Sequence, residues 1–254
     1  MTGQRASVYM LIAMLTTAGQ LSGQPRWIRD VLGDTSSPAV YRSASEIRLY
    51  ESRAVRIDAE GHARTHVRLL TKLLKKPAPG VMYSMLKEFE TGRTSVKNIR
   101  GWLITGTAVK NELKDEDIVR IGSSPMQESF SEGHIVLAGL RDAGFGDVVG
   151  YEYDIEDDEP YASYVHYTFQ KQEPVRYSEF TYEIPEGWEV HTSEWNMERV
   201  GFDRTGRRLT WTTRDLPFRT CVDFLPVVVY HEVPPFSILT DCRTGRRMRF
   251  TVPQ

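Results

Sequence analysis

Residues 146–190 hold the feature that most limits what this chain can fold into: consecutive extended runs, each closed by turn residues. Gly146-Asp147 feeds Val148-Val149-Gly150-Tyr151-Glu152-Tyr153. A second run ends at Phe169-Gln170 before Pro174-Val175, and a third closes on Ile184-Pro185-Glu186-Gly187-Trp188. In the second run Tyr161, Ser163, Val165, Tyr167 and Phe169 share one face. Ala162, Tyr164, His166, Thr168 and Gln170 share the other, the period of a half-buried strand. With the turn Asp157-Asp158-Glu159-Pro160 between them, the runs beginning at Val148 and Tyr161 are expected to pair as a hairpin.

The same grammar recurs elsewhere. A hairpin is expected from Ile47 to Leu73 about the turn Asp58-Ala59-Glu60-Gly61, and another from Arg199 to Thr213 about Asp203-Arg204-Thr205-Gly206. Further strands are expected at Val96–Ile104, Ile118–Ile121, His134–Leu137, Glu179–Ile184, Phe224–Tyr230 and Met248–Val252. Val81–Phe89 reads equally as a strand or a short helix. Few stretches keep a helical period over ten residues, so the expected fold is all-β: an antiparallel, immunoglobulin-like β-sandwich. It forms either one assembly or two packed β-halves with a soft boundary near 141–146. The module occupies 44–254. Residues 24–43, broken by Gly33, Ser36, Ser37 and Pro38, read as an irregular lead-in.

Residues 1–23 look like a secretory signal peptide. Arg5 precedes the apolar run Val8–Leu15, and small and polar residues follow to Gly23. The run is shorter than the roughly 20 residues that span a bilayer, so export to the periplasm or beyond is expected, with no stable membrane span after removal. A formal charge of −2 and a charged fraction of 26% give no broad nucleic-acid footprint. Cys221 and Cys242 form either a disulfide, consistent with export, or two buried thiols.

No motif gathers reactive groups. Neither cysteine opens a helix, and His231 stands ten residues beyond Cys221, so a papain-like arrangement is not expected. Asp154, Glu156, Asp157, Asp158 and Glu159 are candidate calcium ligands, but they lack the Asp-x-Asp-x-Asp-Gly loop, and a solvated acidic hairpin end is the simpler reading. Glu152, Glu179, Glu183 and Glu189 offer no singled-out pair for glycoside hydrolysis, and alternation sends Glu152 to solvent. His62 and His66 would lie about 13 Å apart along a strand, too far for one zinc ion, and read as surface residues. Trp188, Trp195 and Trp211 are candidate ligand-contact aromatics, with core packing the simpler reading.

The order of these signals resembles a family: the domain of unknown function that precedes transglutaminase-like domains in exported bacterial proteins. The matching elements are Asp58-Ala59-Glu60-Gly61, Gly144 to Tyr153, Phe169-Gln170 to Pro174-Val175 with Ser178, Ile184-Pro185-Glu186-Gly187, Trp211 to Leu216-Pro217, and Pro226-Val227-Val228. The resemblance implies an immunoglobulin-like assembly. It does not carry over catalysis, because the residues after Tyr230 are too few for a transglutaminase-like domain, and Phe218-Arg219-Thr220-Cys221 departs from the family's acidic step. The expected function is that of an exported, non-enzymatic interaction or scaffolding module, without cofactor, whose partner is a protein or peptide. The alternatives are an envelope polysaccharide-binding module and the non-catalytic part of a split transglutaminase-like system.

Overall fold

The computed structural model describes residues 23–33, 44–76, 83–90, 94–122, 133–157, 164–194, 198–217, 226–230, 237–240 and 247–250. Most of them lie in strands, against a single α-helix, so the chain is all-β in class. The helix, α1 (Arg26–Gly33), is followed by β1 (Glu46–Ile57), β2 (Ala63–Leu73), β3 (Tyr83–Glu90), β4 (Thr94–Thr105), β5 (Ala108–Glu112), β6 (Ile118–Gly122), β7 (Gly133–Leu140) and β8 (Val148–Asp157). Then come β9 (Tyr164–Thr168), β10 (Val175–Glu183), β11 (His191–Glu194), β12 (Val200–Thr205), β13 (Arg208–Leu216), β14 (Pro226–Tyr230), β15 (Ser237–Thr240) and β16 (Arg247–Phe250).

One sheet of eight strands, in the order β12-β13-β10-β1-β2-β8-β4-β5, organises the molecule. Smaller sheets run β11-β14-β9, β3-β7-β6 and β15-β16. The hairpins expected about Asp58–Gly61 and Asp203–Gly206 both form, as β1–β2 and β12–β13. In the first, the Asp58 carboxylate accepts the amides of Glu60 and His62, and Gly61 takes a positive φ of 93° that a side chain would resist. The residues from Tyr83 form a strand, resolving the strand-or-helix ambiguity.

The expected hairpin of β8 with β9 does not form. β8 pairs with β2 on one side and β4 on the other, which uses both of its edges. β9 pairs instead with β14 in a different sheet. With both of those edges taken, none is left for β9. β8 and β10 both run parallel to β1, so the chain crosses back between them, through β9. The sheet is therefore mixed rather than wholly antiparallel, with β1 and β10 parallel from Arg48↔Val175 to Arg56↔Glu183. Strands from both sides of residues 141–146 enter it.

The lead-in is not irregular throughout: Arg26–Gly33 is helical. Trp27, Ile28, Val31 and Leu32 recur at helical spacing and face the sheet, where fully buried Ile28 packs with Ile47, Leu49, Leu70, Trp102 and Ile104. Gly150 on β8 makes this docking possible, because a Cβ there would come within 3.2 Å of Ile28 Cδ1 and 3.1 Å of Leu70 Cδ1.

The opposite face of the large sheet carries two further cores. One centres on Phe169, Phe180 and Trp211, with Tyr167 stacked on Phe180 at 5.0 Å and Phe180 on Trp211 at 5.5 Å. The other holds Val67, Leu103, Val136, Leu140, Tyr151, Tyr153 and Ile155, where β7 packs over β2, β4 and β8.

Candidate functional site

Two polar regions stand out, one on each face of the large sheet. On the α1 side, β8 lies between β2 and β4, and its even-numbered residues Glu152, Asp154 and Glu156 share a face. β2 presents Arg64, His66 and Arg68 in register with them: Arg68↔Glu152, His66↔Asp154, Arg64↔Glu156. β4 adds Lys97 and Arg100 from the far side. An acidic strand thus runs between two basic ones.

Glu152 is the hub, only 3% exposed. Arg68 Nε donates to Oε1 at 2.8 Å, Arg100 Nη2 to Oε2 at 2.8 Å, and His66 Nε2 lies 3.0 Å from Oε1. The Trp27 indole of α1 approaches at 3.4 Å, with Arg68 over its ring. Burial pushes the Glu152 carboxyl up, but the bonds from His66 and Arg68 and the charges of Arg68 and Arg100 outweigh it and bring it down to about 2. His66 Nδ1 sits 2.7 Å from Asp154 Oδ1. An imidazole between two ionised carboxylates can donate to both only as imidazolium, so this position favours the charged form. The Glu152 bond keeps it above its ordinary value against the cost of burial, with Asp154 helping. Asn98, at φ 53° in the bulge of β4, donates to Asp154 Oδ2 at 2.7 Å. Arg64 and Lys97 both bind Glu156, and Thr94 donates to Asp157 at 2.6 Å.

This corrects the reading of these acids. Glu152 is not in solvent, and Asp154, Glu156 and Asp157 are not a free acidic tip: their oxygens already accept from neighbouring strands. Asp158 and Glu159 lie outside the described residues. Among the described residues no group of three or more His, Cys, Asp or Glu is arranged to hold a metal ion. His66 is a bridging residue rather than a surface one, and His62 pairs with Asp58 at 3.1 Å.

On the other face a cavity of about 380 Å³ lies at the seam between the two cores. β1 supplies Glu51 and Arg53, β2 supplies Val67, β8 supplies Tyr153, and β9 with its exit supplies Tyr167 and Lys171. The bulge between Arg48 and Tyr50 lets β1 turn Arg48 towards the same side. Glu51 is buried and accepts from Tyr167 Oη at 2.9 Å and Lys171 Nζ at 3.0 Å. Burial pushes its carboxyl up, but Lys171 and Arg48 outweigh this and hold it below the usual range. Tyr167 Oη also meets Ser178 Oγ at 2.8 Å, and burial, with Glu51 beside it, drives its phenol well up.

The residues that carry the family resemblance tie backbone together. Asp147 accepts from the Gly144 amide at 2.7 Å and from Thr105 Oγ1 at 2.7 Å, which fixes the turn before β8. Gln170 Nε2 donates to the carbonyls of Lys171 and Pro217 at 3.1 and 2.9 Å, joining the exit of β9 to the end of β13. Of the candidate contact aromatics, Trp211 is wholly buried in the core and offers no stacking surface. Trp188 is half-buried against the same core. Trp195, Cys221 and Cys242 lie outside the described residues.

Fold and site together define an all-β module whose charged side chains largely serve to join strands. The chain belongs to the family described as a domain of unknown function with solved structure, DUF3857, whose model matches residues 59–219. Among solved structures it is similar to a Parabacteroides distasonis ATCC 8503 protein described as a candidate protease, with a TM-score of 0.64 at 14% identity. That match covers 76% of this chain, which spans only 41% of the other. Comparison with curated proteins gave no match.

Proposed function

We propose that this chain is an exported, non-catalytic module of immunoglobulin-like layered sheets that binds a protein or peptide partner, related to the domains that precede transglutaminase-like enzymes. The observation that carries this reading is how the family's marker residues are used. Asp147, Gln170 and Ser178 are spent on a turn, on two carbonyls and on a buried tyrosine. A catalytic carboxylate or imidazole is usually poised near the working pH. Here Glu152 is held near 2 by its cations, and His66 is locked between two acids.

A route for partner binding is the edge strand β12. It ends the large sheet, is hydrogen-bonded to β13, and is exposed from Gly201 to Thr205. Phe202, 50% exposed, rests on Trp211 at 5.1 Å and offers an anchor for an added strand. The test is an affinity pull-down from the native cell envelope with the mature chain and with Phe202→Glu. A protein retained by the first and lost by the second is expected. No retained protein would overturn the reading, as would a purified chain that cleaves or crosslinks a peptide at a rate abolished by Cys221→Ala.

A further inference from the structure

We propose that the cavity at the seam of the two cores is a binding site for an organic carboxylate with an apolar body, the size of one amino-acid residue. This does not depend on the β12 edge, and either can fail without the other.

Charge accounting points to an anion. Three cations line the cavity, Arg48, Arg53 and Lys171, against one carboxylate, Glu51. Arg48 Nη2 is paired with Glu173 Oε1 at 2.7 Å, and Lys171 with Glu51 at 3.0 Å. Arg53 is left over. No ion pair joins it to any described residue, and its Nε is buried without a hydrogen-bond partner. A buried guanidinium nitrogen with nothing to donate to is costly, and such groups call for an explanation in what they meet when the protein works. The cationic surroundings are felt by His166 on β9, whose pKa is lowered by burial and by the Arg53 and Lys171 charges.

Shape and charge together narrow the ligand. Val67, Leu69 and Ile155 provide apolar wall, and about 380 Å³ suits a small organic molecule rather than a bare ion. Glu51 shares β1's inward face with Arg53, about 7 Å away by strand rise. Its negative charge disfavours a dianion such as phosphate and tolerates a single carboxylate. The planar guanidinium of Arg53 suits a carboxylate in a two-bond fork. The end of a peptide chain with an aliphatic last residue has this chemistry.

The test is isothermal titration of the full chain near pH 7 with N-acetyl-leucine, its amide, and inorganic phosphate. Saturable binding of the acid, with the amide and phosphate at least about tenfold weaker, is expected. Arg53→Gln should weaken the acid about tenfold or more, and Leu69→Phe, which fills the cavity while leaving every charge in place, should do the same. Arg53→Gln should also leave the midpoint of thermal unfolding unchanged or raise it, because it removes a guanidinium whose buried Nε has no acceptor; a purely structural arginine would lower it. No binding of the acid, equal binding of acid and amide, stronger binding of phosphate, or binding indifferent to both substitutions would each overturn the proposal.

Discussion

Glu152 decides how the outer face of the large sheet behaves with pH. Its carboxyl is held near 2, below the ordinary value of about 4.3, so its contribution to stability is complete above the ordinary value and is lost as pH falls towards 2. His66 works the other way. Raised in the folded chain, it contributes fully below its unfolded value of about 6.5, and the contribution is lost as pH rises through the folded value. Their joint contribution is greatest between about pH 5 and 6.5. His66→Gln should flatten the alkaline limb of a denaturant-midpoint profile and leave the acid limb in place; an unchanged alkaline limb would refute the assignment. Solvent at Arg68 and Arg100 screens part of the Glu152 shift, which leaves about 1–2 kcal/mol from protonation alone. Glu152→Ala should cost more, about 3 kcal/mol, because it strands Arg68, Arg100 and His66 without their shared acceptor. Equilibrium urea unfolding measures both. This arrangement was partly legible. Arg64, His66 and Arg68, like Glu152, Asp154 and Glu156, alternate with period two, and complementary charge at that period is a signal of adjacent strands. What the sequence withholds is register. Nothing local says that β2 and β8, more than 80 residues apart, lie side by side.

At the scale of elements, the β1–β2 and β12–β13 hairpins were readable because turn chemistry is local, as Asp58 and Gly61 illustrate. The β8–β9 pairing expected from adjacency failed because β2 and β4, distant in sequence, occupy both edges of β8. Helix α1 was hidden for another reason. Eight residues make a marginal helix alone, and this one is stabilised by the sheet it covers. Ile28→Ala should therefore cost about 2–4 kcal/mol, as for a well-packed core aliphatic. Ile28→Asp should undock the helix while the sheet stays folded. Limited proteolysis would then cut within 26–33, with strand circular dichroism retained. Loss of the whole fold on Ile28→Asp would mean that α1 is integral to the sheet rather than laid upon it.

For the molecule as a whole, the pairings bear on whether residues 141–146 divide two folding units. β8, after that segment, lies between β2 and β4, before it. β10 pairs in parallel with β1 across more than 120 residues. A fragment ending at Arg141 would lose the strand between β2 and β4 and expose Val67, Leu103 and Leu70 to water. A fragment beginning at Asp147 would lose β1, against which Phe180 and Tyr182 are set in register. Each half then presents long unpaired strand edges, β2 and β4 in the first and β10 in the second, over a core that has lost some of its strands. The intact chain should unfold in one cooperative transition, with tyrosine and tryptophan fluorescence and circular dichroism coinciding. Refolding should take milliseconds to seconds, because so many pairings are distant in sequence. Fragments 44–141 and 147–254 should each lack native circular dichroism alone. Independent folding of either would show that the sheet can lose the strands of the other half without loss of its fold, and would return the molecule to two halves that merely touch.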